Sequence, residues 1–173
     1  MNLILLFDDD FIDDRRVRLS GRRREHVLNV HRAAVGDALA VGVANRKIGR
    51  GVVTSLDPLE LDVTLHRDPP PPLDVTLLLA LPRPKVFNRV IASATSMGVK
   101  RIVLMNAWRV EKSYWKSPRL SEENLMLQRV LGLEQARDTM LPTIELQRFF
   151  RPFVESLRID GLALVAHPGA VDE

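Results

Sequence analysis

The spacing of apolar residues along the chain changes at a run of four prolines, residues 69–72. Before the prolines, β-prone segments at 38–44, 48–56 and 59–66 are separated by short polar or proline-containing spacers. In the last segment, apolar residues occupy every second position, which is typical of a strand with one buried face. Short spacers between such strands predict antiparallel hairpins. We therefore expect a small β-barrel-like module over residues 1–70.

One helix is predicted inside this module, over residues 21–32, with Val27, Leu28 and Val30 facing the strands. Seven arginines fall within eighteen residues of this region: Arg15, Arg16, Arg18, Arg22, Arg23, Arg24 and Arg32. Clustered guanidinium groups bind phosphate oxygens, so the cluster indicates a nucleic-acid partner. A second interpretation is equally open, in which nearby aspartates balance these arginines on a solvated surface; they are Asp8, Asp9, Asp10, Asp13 and Asp14.

After the prolines, strand-like and helix-like segments alternate. The predicted strands are 74–81, 101–106, 143–146 and 162–166, and the predicted helices are 85–97, 121–138 and a short one after Pro152. Gly98 suits a left-handed helix cap, Ser121 suits an N-cap, and Pro142 is expected to stop the long helix. Such alternation favours a parallel sheet with helices on its faces. We expect a second, α/β domain over residues 74–173, joined to the first by the proline linker.

Composition narrows the class of protein. The chain has 173 residues, 46% of them hydrophobic and 27% charged, which is typical of a globular protein with one or two domains. It contains no cysteine, which excludes disulfides, thiolate metal sites and cysteine nucleophiles. The apolar stretch at residues 1–7 is too short for a membrane span and lacks the basic flank of a signal peptide. We expect a cytoplasmic protein with no membrane partner.

Several common enzyme classes lose their usual sequence anchors. The chain has no GxxxxGK phosphate loop, no GxGxxG after a strand, no HExxH and no GxSxG. Nucleotide hydrolysis, dinucleotide redox chemistry, zinc proteolysis and serine hydrolysis are therefore poorly supported. No spacing of histidines and acidic residues suggests a metal site, and we expect none.

Basic and aromatic residues interleave at 109–115. Arg109, Lys112, Tyr114 and Trp115 form the mixture that contacts phosphates and stacks on unpaired bases. An alternative is equally open, in which Trp108 and Trp115 anchor a long loop or a dimer contact. Arg83 and Lys85 directly follow the first predicted strand of the second domain, where they could approach RNA or a partner subunit.

A second group of polar residues lies at the end of the long predicted helix. Glu134 and Arg137 share a helix face and could form a preorganised pair beside Gln135. Helix capping alone would also explain Arg137, because a cation is favourable at a helix C-terminus. His167, Pro168 and Gly169 directly follow the last predicted strand, where ligands bind in open parallel sheets, although a Pro-Gly pair there is commonly only a turn.

Segments in the same order resemble a known family nearly from end to end. They are HVLNVHRAAVGD at 26–37, ALPRPK at 80–85, MGVKRIV at 97–103, WRVEKSYW at 108–115, EQARDTMLP at 134–142 and AHPGA at 166–170. The chain resembles the small-subunit rRNA methyltransferases that methylate uridine at N3 with S-adenosylmethionine, which belong to the knotted SPOUT methyltransferases. It departs from them at Ser96 and Met97, where the family has Glu-Leu, and at the N-terminus, where the family's basic residue has no counterpart.

The resemblance implies an α+β protein of two domains, a PUA-like β-barrel followed by an α/β SPOUT-type domain, that methylates 16S rRNA or the small subunit as a homodimer. It also implies roles for particular residues. RNA contacts are expected from Arg22, Arg23, Arg24, His26, Arg32, Lys85, Arg109, Lys112, Glu134, Gln135 and Arg137. A catalytic role, stabilising negative charge on the uracil as N3 loses its proton, is expected for Arg137. Cofactor contacts are expected from His167, Pro168 and Gly169.

The family continues with a Gly-Pro-Glu-Gly-Gly loop and a Leu-Gly-x-x-Ile-Leu-Arg segment, which tie the knot and form most of the cofactor pocket. This sequence ends at Glu173 before either, so we expect it to represent the first two-thirds of such an enzyme. Two alternatives remain open from the sequence. One is a non-catalytic RNA-binding short form that lacks the cofactor site, and the other is an α/β protein-interaction domain with an incidental arginine patch.

Overall fold

A computed structural model describes residues 2–166. The first part of the chain forms a mixed five-stranded sheet with the strand order β1-β3-β4-β5-β2. Its strands are β1 (Ile4–Leu6), β2 (Arg16–Arg18), β3 (Ala38–Val43), β4 (Ile48–Leu56) and β5 (Leu59–Arg67). The antiparallel pairing of β3 with β4 and of β4 with β5 confirms the predicted hairpins. A closed PUA-like barrel stays a prediction, because β1 and β2 are the two ends of this strand order.

The predicted helix of this module is confirmed. Helix α1 (Gly21–His26) continues as a π-helical turn over Val27–His31. Val27 lies in a buried core with residues of the strands, whereas Val30 is exposed rather than turned inward as expected. Arg32 ends the segment in the left-handed conformation, with φ of 52°.

Strand β1 is buried on both faces, which explains its uninterrupted apolar sequence. Ile4 and Leu6 pack into the core of the five-stranded sheet. Leu3 and Leu5 point the other way, since successive side chains of a strand alternate. They pack with Val130 of a helix from the second half of the chain. The apolar N-terminal segment, which is too short for a membrane span, is therefore a strand shared by two cores.

No helix in the described residues is long and apolar enough to cross a membrane.

The second half contains the predicted parallel sheet, with strand order β6-β7-β8. Its strands are β6 (Leu73–Ala80), β7 (Val99–Met105) and β8 (Thr143–Gln147). Within the described residues β6 is an edge strand, and Leu73, Val75 and Leu78 are exposed. The division into domains at 1–70 and 74–173 stays a prediction, because β1 joins both halves.

Helices α2 (Pro84–Ser96) and α3 (Glu122–Ala136) pack together beside this sheet, and a short α4 (Phe150–Ser156) follows β8. The caps agree with the sequence: Gly98 has φ of 89° after α2, and the Ser121 side chain accepts a hydrogen bond from the backbone N–H of Asn124. Asn88 and Asn124 exchange side-chain amide hydrogen bonds of 3.1 and 3.0 Å, which fix α2 against α3.

One predicted strand is absent, and two predicted helix boundaries are wrong. The strand predicted at 162–166 is absent, and Leu162, Leu164 and Val165 are exposed. Helix α3 ends at Ala136, six residues before Pro142, because Arg137 adopts the left-handed conformation. Helix α4 begins at Phe150 rather than after Pro152, since proline is tolerated in the first turn of a helix.

Helices α2 and α3 are in close contact at Gly132, and this contact yields a stability prediction. A Cβ atom at Gly132 would lie 2.6 Å from the Ala92 carbonyl oxygen and 2.6 Å from the Thr95 Cβ. Gly132→Ala should lower the free energy of unfolding by about 2 kcal/mol, because the forced separation outweighs the gain in helix propensity. Urea denaturation would measure the change. Gln135→Ala, at an exposed site of the same helix, should change stability little, and equal stability of the two variants would contradict the packing argument.

Candidate functional site

An arginine follows the carboxyl end of each strand of the parallel sheet. Arg83 follows β6, Arg109 follows β7, and Arg148 follows β8 directly. All three are exposed. Parallel strands end at one edge of their sheet, and ligands of open α/β sheets bind at this edge. The three guanidinium groups therefore give the carboxyl edge a local positive charge that net composition does not reveal.

A cavity of about 300 Å³ opens at this edge. Its lining residues are Ala80, Leu81, Pro82, Arg83, Ala107, Arg109, Val110, Glu111 and Tyr114. Two guanidinium groups face it, together with one carboxylate. Glu111 is held in place, because its carboxylate accepts a hydrogen bond of 2.9 Å from the Tyr114 hydroxyl. Since the two arginines outnumber the one carboxylate, the lining suits an anionic ligand.

The loop between β7 and α3 is anchored by its aromatic residues. Trp115 packs against the core of the parallel sheet, and its Nε1–H donates a hydrogen bond of 3.3 Å to Asn106 Oδ1. The Arg148 guanidinium lies over the Trp115 ring, 5.8 Å from its centroid. Tyr114 packs against the same core. The anchoring interpretation of Trp115 is thus supported, and the loop that carries Arg109 and Lys112 is attached at its far end.

Two lysines predicted to bind RNA lie at the same edge. Lys85 is exposed in the first turn of α2, and Lys112 is exposed in the loop after β7. Neither lysine, and neither Arg83 nor Arg109, forms an ion pair with another residue in the range 2–166. We call Arg83, Lys85, Arg109, Lys112 and Arg148 the carboxyl-edge surface.

Glu134, Gln135 and Arg137 lie at the opposite, amino edge of the sheet. The next residue, Asp138, forms an ion pair with Lys100, at the start of β7. Arg137 is exposed and is not among the residues that line the carboxyl-edge cavity. The structure therefore does not bring the predicted catalytic arginine to Arg109 and Lys112.

Glu134 is buried, and the ion pair that the sequence predicted between Glu134 and Arg137 is not formed. Glu134 is only 2% exposed, and its Oε2 accepts a hydrogen bond of 2.8 Å from Arg22 of helix α1. Its backbone carbonyl accepts hydrogen bonds of 3.1 Å from the N–H groups of Asn2 and Leu3. Arg137 points elsewhere because the helix ends at this residue in the left-handed conformation. Glu134 thus joins the two halves of the chain.

The residues after Glu134 extend this joint. The backbone N–H of Asn45 donates to the Thr139 carbonyl at 2.8 Å, and Asn45 Oδ1 accepts from the Leu141 N–H at 2.9 Å. The Thr139 hydroxyl donates to the carbonyl of Arg46. In this structure the segment 134–142, which the sequence associated with RNA, connects the β-module to the parallel sheet.

Six of the seven clustered arginines are neutralised by acidic residues. The pairs are Arg15 with Asp62, Arg16 with Asp13, Arg18 with Glu60, Arg22 with Glu134, Arg23 with Asp10 and Arg24 with Asp57. Arg23 is largely buried: it donates to both Asp10 oxygens and to the Leu5 carbonyl, and it covers the Phe7 ring. The charge-balanced interpretation therefore describes most of the cluster, and Arg32 is the member that forms no ion pair within residues 2–166.

His26 is partly buried, with its ring 4.9 Å from that of His31 in an edge-to-face arrangement. Burial lowers the pKa of His26, and the positive charge of the N-terminus lowers it further. A neutral imidazole contributes little to phosphate binding, so the RNA contact predicted for His26 gains no electrostatic support here.

Among the predicted site residues, Lys85, Arg109 and Lys112 come together at the carboxyl edge. Arg22, Glu134, Gln135 and Arg137 lie at the joint or beside it. His167, Pro168 and Gly169 lie outside the described residues. The sequence interpretation did not include Arg148 and Glu111. Both residues follow a strand of the parallel sheet, and this position is the sequence feature that could have identified them. In the part of the chain that the structure describes, no group of three or more metal-ligating side chains occurs.

Comparisons with known proteins agree with this architecture. A family model described as an RNA methyltransferase domain matches residues 69–173. The chain belongs to this family of RNA methyltransferase domains. The match covers the parallel sheet and the whole carboxyl-edge surface, and the family resemblance seen in the sequence motifs is confirmed.

Individual relatives are similar over part of their length. Ribosomal RNA small subunit methyltransferase E of Treponema pallidum is 32% identical over 77 residues, which cover 44% of this chain and 29% of the relative. A methyltransferase of Legionella pneumophila, solved with bound SAM, has a TM-score of 0.68 at 16% identity, covering 97% of this chain and 71% of that one. The small subunit methyltransferase E of Neisseria gonorrhoeae, bound to S-adenosylmethionine, has a TM-score of 0.68 at 18% identity, covering 91% and 66%. The chain thus matches less than a third of the curated relative's length.

The joint at Glu134 generates a prediction for this RNA methyltransferase domain. Arg22→Ala should lower the free energy of unfolding by about 2 kcal/mol at neutral pH, because it leaves a buried carboxylate unpaired. This value is below that of a fully buried pair, since the Arg22 side chain is 41% exposed. Arg15→Ala, which breaks a pair with both partners exposed, is the matched control and should cost less than about 0.5 kcal/mol. If both variants lost the same free energy of unfolding in urea denaturation, the Arg22–Glu134 pair would not stabilise the joint as proposed.

The same variant should show a defined pH dependence. Burial raises the pKa of Glu134 above its ordinary 4.5, and Arg22 opposes the rise. An acid with a raised folded-state pKa favours its neutral form in the native state, so its contribution to stability falls as the pH rises through that pKa. Without Arg22 this fall should steepen. The stability difference between wild type and Arg22→Ala should therefore shrink at mildly acidic pH, and a constant difference would count against an ionised Glu134.

Proposed function

We propose that this chain is an RNA methyltransferase that modifies N3 of a uridine in 16S ribosomal RNA, with S-adenosylmethionine as the methyl donor. The observation that carries the proposal is the family match over residues 69–173, which includes the cationic edge of the parallel sheet. The printed name of the Treponema pallidum relative supports the small-subunit rRNA substrate. The two solved structures with bound S-adenosylmethionine support the cofactor.

The carboxyl-edge surface supplies the RNA contacts in this proposal. Its cations are not neutralised by ion pairs within the described residues, so their binding to phosphates releases counterions from the RNA without first breaking an ion pair. Glu111 limits the positive charge of the cavity and is fixed by Tyr114. An unpaired uridine could enter the cavity only after leaving its stack, as enzymes acting on base edges require.

Methylation at N3 requires that the uracil lose its N3 proton. The negative charge that develops spreads to the neighbouring carbonyl oxygens, where a fixed cation stabilises it. The guanidinium groups of Arg83 and Arg109 line the cavity and could fill this role. The catalytic role of Arg137 stays a prediction, which the placement of Arg137 at the opposite edge does not favour.

The cofactor places its own requirement on the site. S-adenosylmethionine supplies its methyl group from a positively charged sulfur, and this sulfur must lie beside uracil N3 when the methyl group is transferred. We therefore assign the cavity to the uridine, and we assign the cofactor to residues next to the cavity but outside its lining. Cofactor contacts by His167, Pro168 and Gly169 remain a proposal. A homodimer in the cytoplasm, acting on 16S rRNA or the small subunit, belongs to the same proposal.

A methylation assay tests the proposed activity. The chain is incubated with S-adenosylmethionine and small-subunit particles or 16S rRNA, and 3-methyluridine is measured by mass spectrometry of the digested RNA. We expect methylation at one uridine. Arg109→Ala should lower the turnover on the order of a hundredfold if Arg109 stabilises the developing charge. Arg18→Ala, an exposed arginine paired with Glu60, is the matched control and should leave turnover unchanged.

Absence of 3-methyluridine with both substrates would contradict the proposal for this chain. Calorimetric titration with S-adenosylmethionine then separates the causes. RNA binding without cofactor binding would support the alternative of a non-catalytic RNA-binding form.

Salt dependence tests which cations contact RNA. In a plot of the logarithm of the association constant against the logarithm of salt concentration, Arg109→Ala and Lys112→Ala should each reduce the slope by about 0.7 for single-stranded RNA. Arg16→Ala should change the slope little, because Asp13 already neutralises this arginine. A larger change of slope in Arg16→Ala than in Arg109→Ala would indicate that the arginine cluster, and not the carboxyl-edge surface, contacts the RNA.

A further inference from the structure

The loop between β7 and α3 exposes one aromatic ring fully. Trp108 is 99% exposed, the highest value among the exposed large hydrophobic residues of the described chain. The other two aromatic residues of this loop, Tyr114 and Trp115, pack against the core and donate hydrogen bonds to Glu111 and Asn106. The Trp115 face is also covered by Arg148. Of the three rings, Trp108 alone presents both faces to a ligand.

The surroundings of Trp108 are cationic and belong to the carboxyl edge. Its neighbours Ala107 and Arg109 both line the cavity, and Lys112 lies three residues beyond Arg109 in the same loop. Bases of unpaired RNA stack on tryptophan while adjacent arginine and lysine side chains hold the backbone phosphates. We propose that Trp108 is a stacking platform for an unpaired RNA base beside the nucleotide in the cavity. This inference rests on the proposed function, because it assumes an RNA substrate.

Charge distinguishes this occupant from a second copy of the chain. A twofold contact centred on this loop would bring Arg109 and Lys112 of both copies together, and the one carboxylate beside them, Glu111, already accepts hydrogen bonds from Tyr114 and Ser113. RNA has the opposite charge and offers flat faces to the indole ring. A single-stranded segment is therefore the better fit, and a protein contact is the outcome that the test must exclude.

Because of its position, Trp108 can be replaced without disturbing the hydrophobic core. The side chain contributes to no core cluster of the described residues, so its replacement should leave the fold intact. Trp108→Ala removes the stacking surface, and Trp108→Tyr retains an aromatic face. Met97→Ala is the matched control, because Met97 is a large exposed apolar residue at the amino edge of the same sheet.

Binding of fluorescein-labelled oligouridylate to the full chain, measured by anisotropy at one fixed salt concentration, tests the proposal. Trp108→Ala should weaken binding by about 5- to 100-fold, Trp108→Tyr should restore most of the affinity, and Met97→Ala should bind like wild type. The salt slope should stay unchanged in Trp108→Ala, since stacking releases no counterions, whereas Arg109→Ala should reduce it. Fluorescence of wild type should be quenched by the RNA, and that of Trp108→Tyr, which retains Trp115, much less.

Three results would overturn the proposal. Equal affinity of Trp108→Ala and wild type would remove the stacking contact and leave the methyltransferase proposal standing if wild type methylates RNA. A change in sedimentation of Trp108→Ala with unchanged RNA affinity would assign the ring to a protein contact. Failure of wild type to bind any single-stranded or ribosomal RNA would reject both the stacking platform and the proposed function.

Discussion

The structure depends on the sharing of strand β1 between two cores. One face of the strand, with Ile4 and Leu6, completes the core of the five-stranded sheet, and the other face, with Leu3 and Leu5, packs against α3. Burial of both faces stabilises the contact without requiring a large interface, since each leucine removes apolar area from water. Glu134 adds polar specificity to this joint through Arg22. The β-module is therefore held in a defined orientation to the parallel sheet.

This joint changes the meaning of the arginine-rich segment. Guanidinium groups near the N-terminus neutralise acidic residues of their own module or, in the case of Arg22, fix the second half of the chain. Arg23 covers Phe7 and binds Asp10, which makes it part of the packing. Cations at the carboxyl edge form no ion pair within the described residues. Affinity for RNA should accordingly follow the uncompensated charges, and the density of arginines along the sequence is a poor guide to it.

Periodicity predicted most of the fold because burial decides it locally. The β4–β5 hairpin and the caps of α2 and α3 follow from alternation, Gly98 and Ser121. The site was harder to predict for two reasons. Ion-pair partners far apart in sequence, such as Arg22 and Glu134, cannot be derived from spacing. The helix spacing of Glu134 and Arg137 suggested a pair, but the left-handed turn at Arg137 breaks the helical geometry on which that pairing depends. The apolar run at 162–166 forms no strand although β6 and β8 are edge strands of the described sheet, because the pairing of a segment with a sheet edge cannot be derived from its own spacing.

The two edges of the parallel sheet thus have different tasks. At the amino edge, Glu134 and Thr139 of segment 134–142 bind the β-module, and Asp138 binds Lys100 of β7. At the carboxyl edge, Trp115, Tyr114 and Asn106 fix the loop that carries Arg109. Because the loop is already ordered in the folded protein, less conformational entropy is lost when Arg109 binds a ligand. A loop anchored in this way can hold a guanidinium near a developing charge, whereas a free loop would lose that advantage to entropy.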